Sequence, residues 1–207
     1  MEEVFAFLGS AGKLLPVTVI SAIVLFGVKE FLETRRRRGT NSRKRRALRR
    51  LLADEVERNN FQIRRLRGCC ATIQRALAEG YLESDSDLKL KVIEGAFGKL
   101  HLKLSEEGQV LYQSPIGTVH TEVLSGSLLE LALVDKEMFE TAMEASDGAK
   151  ELDGLRHSMV DLLQSHDHTF LPGFPDYALS EIDKIERTLK AFYKGLTGKE
   201  LVDIRVF

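Results

Sequence analysis

The sequence predicts a mainly α-helical protein, in which one N-terminal transmembrane helix precedes a cytoplasmic helical bundle with a possible small β-hairpin near 88–112. Three observations support this fold class. Residues 4–28 are apolar or uncharged apart from Lys13. A strongly basic stretch follows them. In several segments between 52 and 196, apolar residues then recur at every third or fourth position, which is the period of an amphipathic helix.

The composition excludes several classes of protein. The chain has 207 residues, of which 43% are hydrophobic and 29% charged, and its formal net charge is −1. These values are ordinary for a chain that buries a core, and they exclude wholesale disorder, a collagen-like repeat and a multi-span membrane protein. Two cysteines are too few for a disulfide scaffold.

The near-neutral net charge is an average over three unlike segments. Residues 1–34 carry two basic and four acidic side chains, residues 35–67 carry 14 basic and three acidic, and residues 68–207 carry 14 basic and 24 acidic. An asymmetry of this size indicates a membrane surface or a nucleic acid as the partner of the basic segment.

The N-terminal apolar stretch predicts a transmembrane helix at 10–32. Roughly 20 helical residues cross a hydrocarbon core of about 30 Å, and residues 14–28 contain no charge. A cleaved signal peptide and a buried core helix are the alternatives. The start Met1-Glu2-Glu3 lacks the basic residues of a signal peptide, and a core helix is rarely this long and uncharged.

The distribution of basic residues predicts the orientation of the span. Lys13 is the only basic residue before its centre, whereas ten basic residues occupy 35–50. By the positive-inside rule, residues 1–9 form a short extracytoplasmic N-terminus, 33–50 a basic juxtamembrane segment and 51–207 a cytoplasmic domain. The expected location is the inner (plasma) membrane of the cell.

The basic juxtamembrane segment is a candidate contact to anionic lipid headgroups, to which each Lys or Arg near the surface adds about 1 kcal/mol. Alternatively, it serves only as a topology signal. Residues 39–42 predict a helix break that would let the second basic cluster bend back to the headgroups. Nucleic acid is disfavoured because no aromatic residue lies between 35 and 60. The candidate lipid contacts are Arg35, Arg36, Arg37, Arg38, Arg43, Lys44, Arg45 and Arg46.

A long helix is expected to begin near Asn41 or Ser42, and it carries a heptad seam. Asn59 is the one fully polar member, and it either fixes register in a coiled coil or hydrogen-bonds a backbone group of a neighbouring helix. The charges that flank the seam are not complementary, which favours packing within the chain over self-association. The seam residues are Leu52, Val56, Asn59, Ile63, Leu66, Cys70, Ile73 and Leu77.

The rest of the chain alternates between two patterns. Residues 88–92 and 100–104 alternate with period two, so 88–112 forms either a small hairpin or short helical pieces. From Thr118 the helical period returns, and Asp135 is a candidate helix cap. The first long helix and the last one are expected to pack together.

This order of features resembles uncharacterised bacterial single-pass membrane proteins with a cytoplasmic helical domain. The stretches that carry the resemblance are Leu51-Leu52-Ala53-Asp54-Glu55-Val56-Glu57-Arg58-Asn59-Asn60, residues 118–126 and Leu189-Lys190-Ala191-Phe192-Tyr193. The resemblance covers residues 10–196, and it implies an architecture and no activity.

No motif predicts catalysis. Cys69 and Cys70 point about 100° apart on a helix, so Cys70 is expected in the core and Cys69 at its flank, both as thiols. Residues 195–200 lack the first glycine and the Ser/Thr of a phosphate-binding loop. The candidate metal ligands are His157, Asp161, His166 and His168, of which only the first two have the i, i+4 spacing.

We therefore expect a single-pass membrane-anchored helical protein without enzymatic activity or cofactor, acting as an interaction or scaffold module at the cytoplasmic membrane face. Its expected partners are a bilayer with anionic headgroups and another protein, which could be a second copy. Two alternatives stay open: a metal-binding bundle that uses the His157–His168 region as a sensor or enzyme, and a membrane-proximal nucleic-acid binder that uses the basic segment.

Overall fold

The computed structural model describes residues 17–82, 87–165 and 168–202. Most of these residues are helical, and three short strands form one antiparallel sheet in the order β1-β2-β3. The mainly helical class is thus confirmed. The helices are α1 (Val17–Ala78), α2 (Glu122–Val134), α3 (Lys136–Gln164) and α4 (Phe174–Thr197), the strands are β1 (Leu88–Glu94), β2 (Leu100–Glu106) and β3 (Gln109–Pro115), and a 3-10 turn lies at Ala96–Gly98.

The chain divides into two compact units, Met1–Ala47 and Leu48–Phe207. In the first unit, the described residues belong to α1, and every described side chain except that of half-buried Glu33 is exposed. Among the residues that the structure describes, no helix offers a stretch that is long and apolar enough to cross a membrane. The predicted N-terminus 1–9 and the first part of the predicted span, residues 10–16, lie outside the described residues.

The helix break expected at 39–42 is not formed, and the long helix does not begin near Asn41 or Ser42. Helix α1 is continuous through these positions. The hydroxyl of Thr40 donates a hydrogen bond of 3.0 Å to the carbonyl of Arg36, four residues earlier. This bond satisfies the side chain within a continuous helix, so the residue does not cap a new one.

In the second unit, the heptad seam of α1 faces the interior. Leu52, Val56, Ile63 and Ile73 are fully buried. Helix α4 lies alongside α1 in the opposite direction. The contacts that join the two helices are Tyr193 with Glu57, Arg67 with Asp183 and Glu186, and Gln74 with Asp176. The expected packing of the first long helix against the last is confirmed.

The region 88–112 forms strands rather than short helices, and the sheet has one strand more than the expected hairpin. Alternate residues of β1 and β2 enter the core, among them Leu90 and Leu102, which are 2% and 0% exposed. A tight turn with positive φ at Glu107 (47°) and Gly108 (87°) leads into β3. Such a pair of angles suits a two-residue hairpin turn, and glycine adopts it without strain.

Three helix ends show the side-chain chemistry that is common at such positions. Asp135 caps α3, because its carboxylate accepts a hydrogen bond of 3.4 Å from the backbone N–H of Met138. Helix α4 starts with a proline in its first turn and ends at Gly198, whose φ of 71° is the left-handed conformation common at helix C-termini.

Candidate functional site

The first unit presents an apolar helix surface on all sides. Ile23, Val24, Leu25 and Phe26 are 59%, 52%, 69% and 68% exposed. Consecutive helical residues point about 100° apart, so these four side chains surround the helix axis. Packing against a single partner helix would cover only one of these sides. A helix that is apolar on every side is typical of a protein core or a membrane environment.

The eight candidate lipid-contact residues lie on the same helix, and all eight are exposed. Arg37 forms an ion pair of 2.6 Å with Glu33. Because the helix is continuous, residue 43 lies about 12 Å beyond residue 35 along the axis at a rise of about 1.5 Å per residue. The nearest members of the two clusters, Arg38 and Arg43, are about 7.5 Å apart along the axis, which is close to a Debye length of about 8 Å at physiological salt.

Asn59 forms a pair of hydrogen bonds with the backbone just before α2. Its amide nitrogen Nδ2 donates to the carbonyl of His120 at 2.6 Å, and its oxygen Oδ1 accepts from the N–H of His120 at 2.8 Å. The side chain is fully buried. Of the two roles expected for Asn59, the structure has the bond to a neighbouring backbone, although that backbone is the connection to α2 and not a helix.

Glu55, one turn earlier on α1, caps the start of α2. Its two carboxylate oxygens accept hydrogen bonds from the N–H groups of Val123 at 2.8 Å and Leu124 at 3.1 Å. The first N–H groups of a helix have no partner within the helix, and a negative charge there is favourable. The residue is only 4% exposed, so this carboxylate serves the fold.

The connection 116–121 is held from two more sides. The Nε of Arg156 on α3 donates to the carbonyl of Gly117 at 2.8 Å. A Cβ atom at Gly117 would clash with Oε1 of Gln62 on α1, so a larger residue there would require the Gln62 side chain to move. Sequence reasoning missed Glu55, Gln62 and Arg156. None of the three carried a signal in the sequence, since charged and polar residues on helices are usually solvated.

The two cysteines are thiols in a closed environment. Both are fully buried, and burial raises the pKa of Cys69 to about 11 and that of Cys70 to about 12. The flank position expected for Cys69 is wrong, because strand β3 covers that side of α1 and brings Ser114 within hydrogen-bonding reach. A buried thiol with a raised pKa is a poor nucleophile.

The candidate metal ligands do not gather in the part of the chain that the structure describes. His157 is exposed, and its Nδ1 lies 2.8 Å from the carbonyl of Asp153. Asp161 is exposed, while His168 contacts the ring of Tyr81 at 5.9 Å between centroids. His166 lies outside the described residues. Within residues 17–82, 87–165 and 168–202, no group of three His, Cys, Asp or Glu side chains could hold a metal.

One cavity of about 350 Å³ opens between α1, the connection before α2 and the segment after α4. Phe61 lies in its wall, with the guanidinium carbons of Arg65 and Arg64 at 4.2 and 5.5 Å from the ring centroid. Two acids at its rim are already engaged: Asp54 pairs with Arg58 at 2.6 Å, and Glu57 accepts a bond of 2.6 Å from Tyr193. The hydrogen bond to Glu57 raises the pKa of Tyr193.

Comparison with known proteins yields no similarity to report: no protein-family model, no curated protein and no solved structure matches this chain.

Proposed function

We propose that this protein is a single-pass membrane-anchored helical module, with a span at 10–32 and a non-enzymatic interaction domain on the cytoplasmic face. The observation that carries the proposal is the ring of exposed apolar side chains at 23–26. Burying one Val, Leu, Ile or Phe side chain stabilises by about 1.5–3 kcal/mol, so a helix with these residues on every side favours hydrocarbon over water.

The charges beside that ring support the orientation. Arg35, Arg36, Arg37 and Arg38 follow the apolar segment directly and are exposed. Arginines at this position lie at headgroup depth and retain the C-terminal side in the cytoplasm. The continuous helix places Arg43–Arg46 further along the axis than Arg35–Arg38, so the first cluster contributes most to the lipid contact.

The interaction role of the second unit is supported by the structural contacts that its buried polar groups form. Glu55, Asn59 and Arg156 all hold the connection to α2, and both cysteines are buried thiols. These groups stabilise the bundle. Such a bundle at the end of an anchor presents its surface to a partner.

Extraction of membranes with alkaline carbonate tests the anchor. We expect the full chain to stay in the pellet and the variant Leu25→Arg to move into the supernatant, since a charge within a span costs about 2.5–3.5 kcal/mol. Leu129→Arg is the matched control, because Leu129 is 76% exposed in the second unit and should leave the distribution unchanged. Extraction of the unaltered chain by carbonate would refute the anchor.

A further inference from the structure

The outer face of the three-stranded sheet is a compact basic surface on an otherwise acidic domain. Residues of one parity in β1 and β2 enter the core, and the other parity points outwards. Lys89, Lys91 and Lys103 belong to the outward set. By contrast, residues 68–207 carry 24 acidic and 14 basic side chains in total. We call the three lysines the lysine face.

The register of the strands places these ammonium groups close together. Lys91 is the direct cross-strand partner of Lys103, and Lys89 lies diagonally from Lys103. Directly opposite side chains on a sheet have Cβ atoms about 4.5–5.5 Å apart, and like charges at this spacing repel. Within the described residues, none of the three lysines forms an ion pair. Glu94 and Glu106 alternate onto the opposite face.

Apolar side chains border the lysine face on β3. Val110 and Leu111 are each 51% exposed, and a register shift beside Ser105 makes Leu111 an extra residue in the strand. Strand β3 contains no charged residue, and in the part of the chain that the structure describes it pairs with β2 alone. Native edge strands are usually blunted with charge, so an uncharged edge with exposed aliphatic residues marks an interaction surface.

The surroundings of the lysine face discriminate between anionic partners. A bilayer or a nucleic-acid duplex extends well beyond a Debye length of about 8 Å and would also meet the exposed acid Glu107 in the turn between β2 and β3. Single-stranded nucleic acid is recognised by stacking on aromatic rings, whereas the outward residues described on the three strands include no Phe, Tyr or Trp. The imidazole of His101 also lies on this face, but it is half-buried and its Nδ1 lies 3.4 Å from the side-chain amide of Gln113. A short segment can contact the lysines and the aliphatic residues without reaching Glu107.

We propose that the lysine face, with Val110 and Leu111 at its border, binds a short acidic segment of a partner protein that alternates carboxylates with apolar side chains. The carboxylates neutralise the opposed pair Lys91 and Lys103, which relieves their mutual repulsion. The apolar side chains cover the two aliphatic residues of β3. This inference rests on the proposed interaction role and names the class of partner that the role requires.

The test measures binding of a fluorescein-labelled octapeptide of alternating glutamate and valine to the full chain in detergent micelles. We expect saturable binding that weakens by about 2- to 30-fold in the double variant Lys91→Gln/Lys103→Gln, because it removes two exposed ion pairs. Lys136→Gln/Lys199→Gln is the control of equal net charge, with both lysines exposed elsewhere in the second unit. The control should bind as the unaltered chain does.

Binding of other probes distinguishes between the possible classes of partner. The lysine–valine analogue of the peptide should not bind. Absence of saturable binding, or equal binding by both double variants, would overturn the inference. It would also be overturned if a 20-nucleotide single strand or anionic vesicles bound more tightly than the peptide through the same lysines. Carbonate extraction reports on the anchor separately, so a failed peptide assay with an intact anchor rejects the lysine face alone.

Discussion

Replacing Asn59 by alanine removes both hydrogen bonds that join α1 to the backbone of His120. Each bond contributes about 1 kcal/mol net, and leaving a desolvated donor or acceptor without a partner costs about 1–3 kcal/mol. Because the Asn59 site is fully buried, we expect the free energy of unfolding to fall by about 2–4 kcal/mol. Amide protection at the start of α2 should fall before the rest of the domain unfolds.

Leucine at the same position distinguishes the two interpretations of the seam. In a coiled coil, an apolar residue in place of a buried asparagine raises stability and changes the oligomeric state. Here, Asn59→Leu leaves the N–H and C=O of His120 without their partners, so it should destabilise about as much as alanine despite the added apolar volume. Leu66→Ile, a swap of similar volume at the 5% exposed position two turns later, is the control and should cost less than about 1.5 kcal/mol.

Urea unfolding of the full chain, followed by circular dichroism at 222 nm, measures the change. Amide hydrogen exchange supplies the local readout, since the N–H groups of His120, Val123 and Leu124 all bond to α1. We expect the His120 amide to lose protection first in both variants. An Asn59→Leu protein that is more stable than the unaltered chain, or a His120 amide with unchanged protection, would refute the reasoning.

Four further outcomes are expected. Glu55→Gln keeps one acceptor but points an N–H₂ group at a helix N–H, so it should lower stability by about 1–2 kcal/mol in the same urea assay and speed exchange at Val123 or Leu124; unchanged exchange would contradict the cap. Gly117→Ala should destabilise through its clash with Gln62, and Gln62→Ala should recover part of that loss in the double variant, whereas strictly additive losses would argue against the contact. Cys69 and Cys70 should stay unmodified by iodoacetamide at pH 8 and react only on unfolding, and rapid labelling of the folded chain would show that they are open. Because burial raises both cysteine pKa values in the folded state, their stabilising effect is complete below the unfolded pKa of about 9 and is lost as pH rises towards about 11 and 12; cysteine-to-alanine variants should show a smaller fall in stability over that interval.

The residues that the sequence placed correctly are those whose role depends on periodicity or local chemistry. The seam from Leu52 to Ile73 and the apolar face of α4 recur at helical spacing, and their burial follows from that spacing. Asp135 lies just before a helix whose third N–H it accepts, which is a contact over three residues. Such features need no knowledge of the rest of the fold.

The residues that sequence reasoning misplaced depend on distant partners or on context. Residues 39–42 contain a glycine and three cap-forming side chains, yet Thr40 satisfies its hydroxyl within α1 and the helix continues. Strand β3 does not alternate, because its register shift inserts one extra residue, so it carried no period-two signal. That same strand covers Cys69, which is why a position at the flank of the seam is buried.

The polar side chains that hold the start of α2 were recognisable in the sequence only in part. Asn59 stood out as a polar residue in an apolar seam, but its partner His120 lies 61 residues away. Glu55 and Arg156 gave no signal of their own, since charged residues on helices are usually solvated. A hydrogen bond between a side chain and a distant connecting segment depends on tertiary packing. Such a contact has no local signature in a single sequence.

Trypsin cleavage in sealed membrane vesicles tests the proposed anchorage most directly. The arginines at 35–46 are exposed on one helix at the C-terminal end of the first unit, and they are natural cleavage sites before the second unit. We predict that trypsin releases the domain that follows them from inverted vesicles and leaves it intact in right-side-out vesicles. Release of that domain from right-side-out vesicles, or its recovery in the supernatant without protease, would contradict a single-pass anchor with a cytoplasmic C-terminal domain.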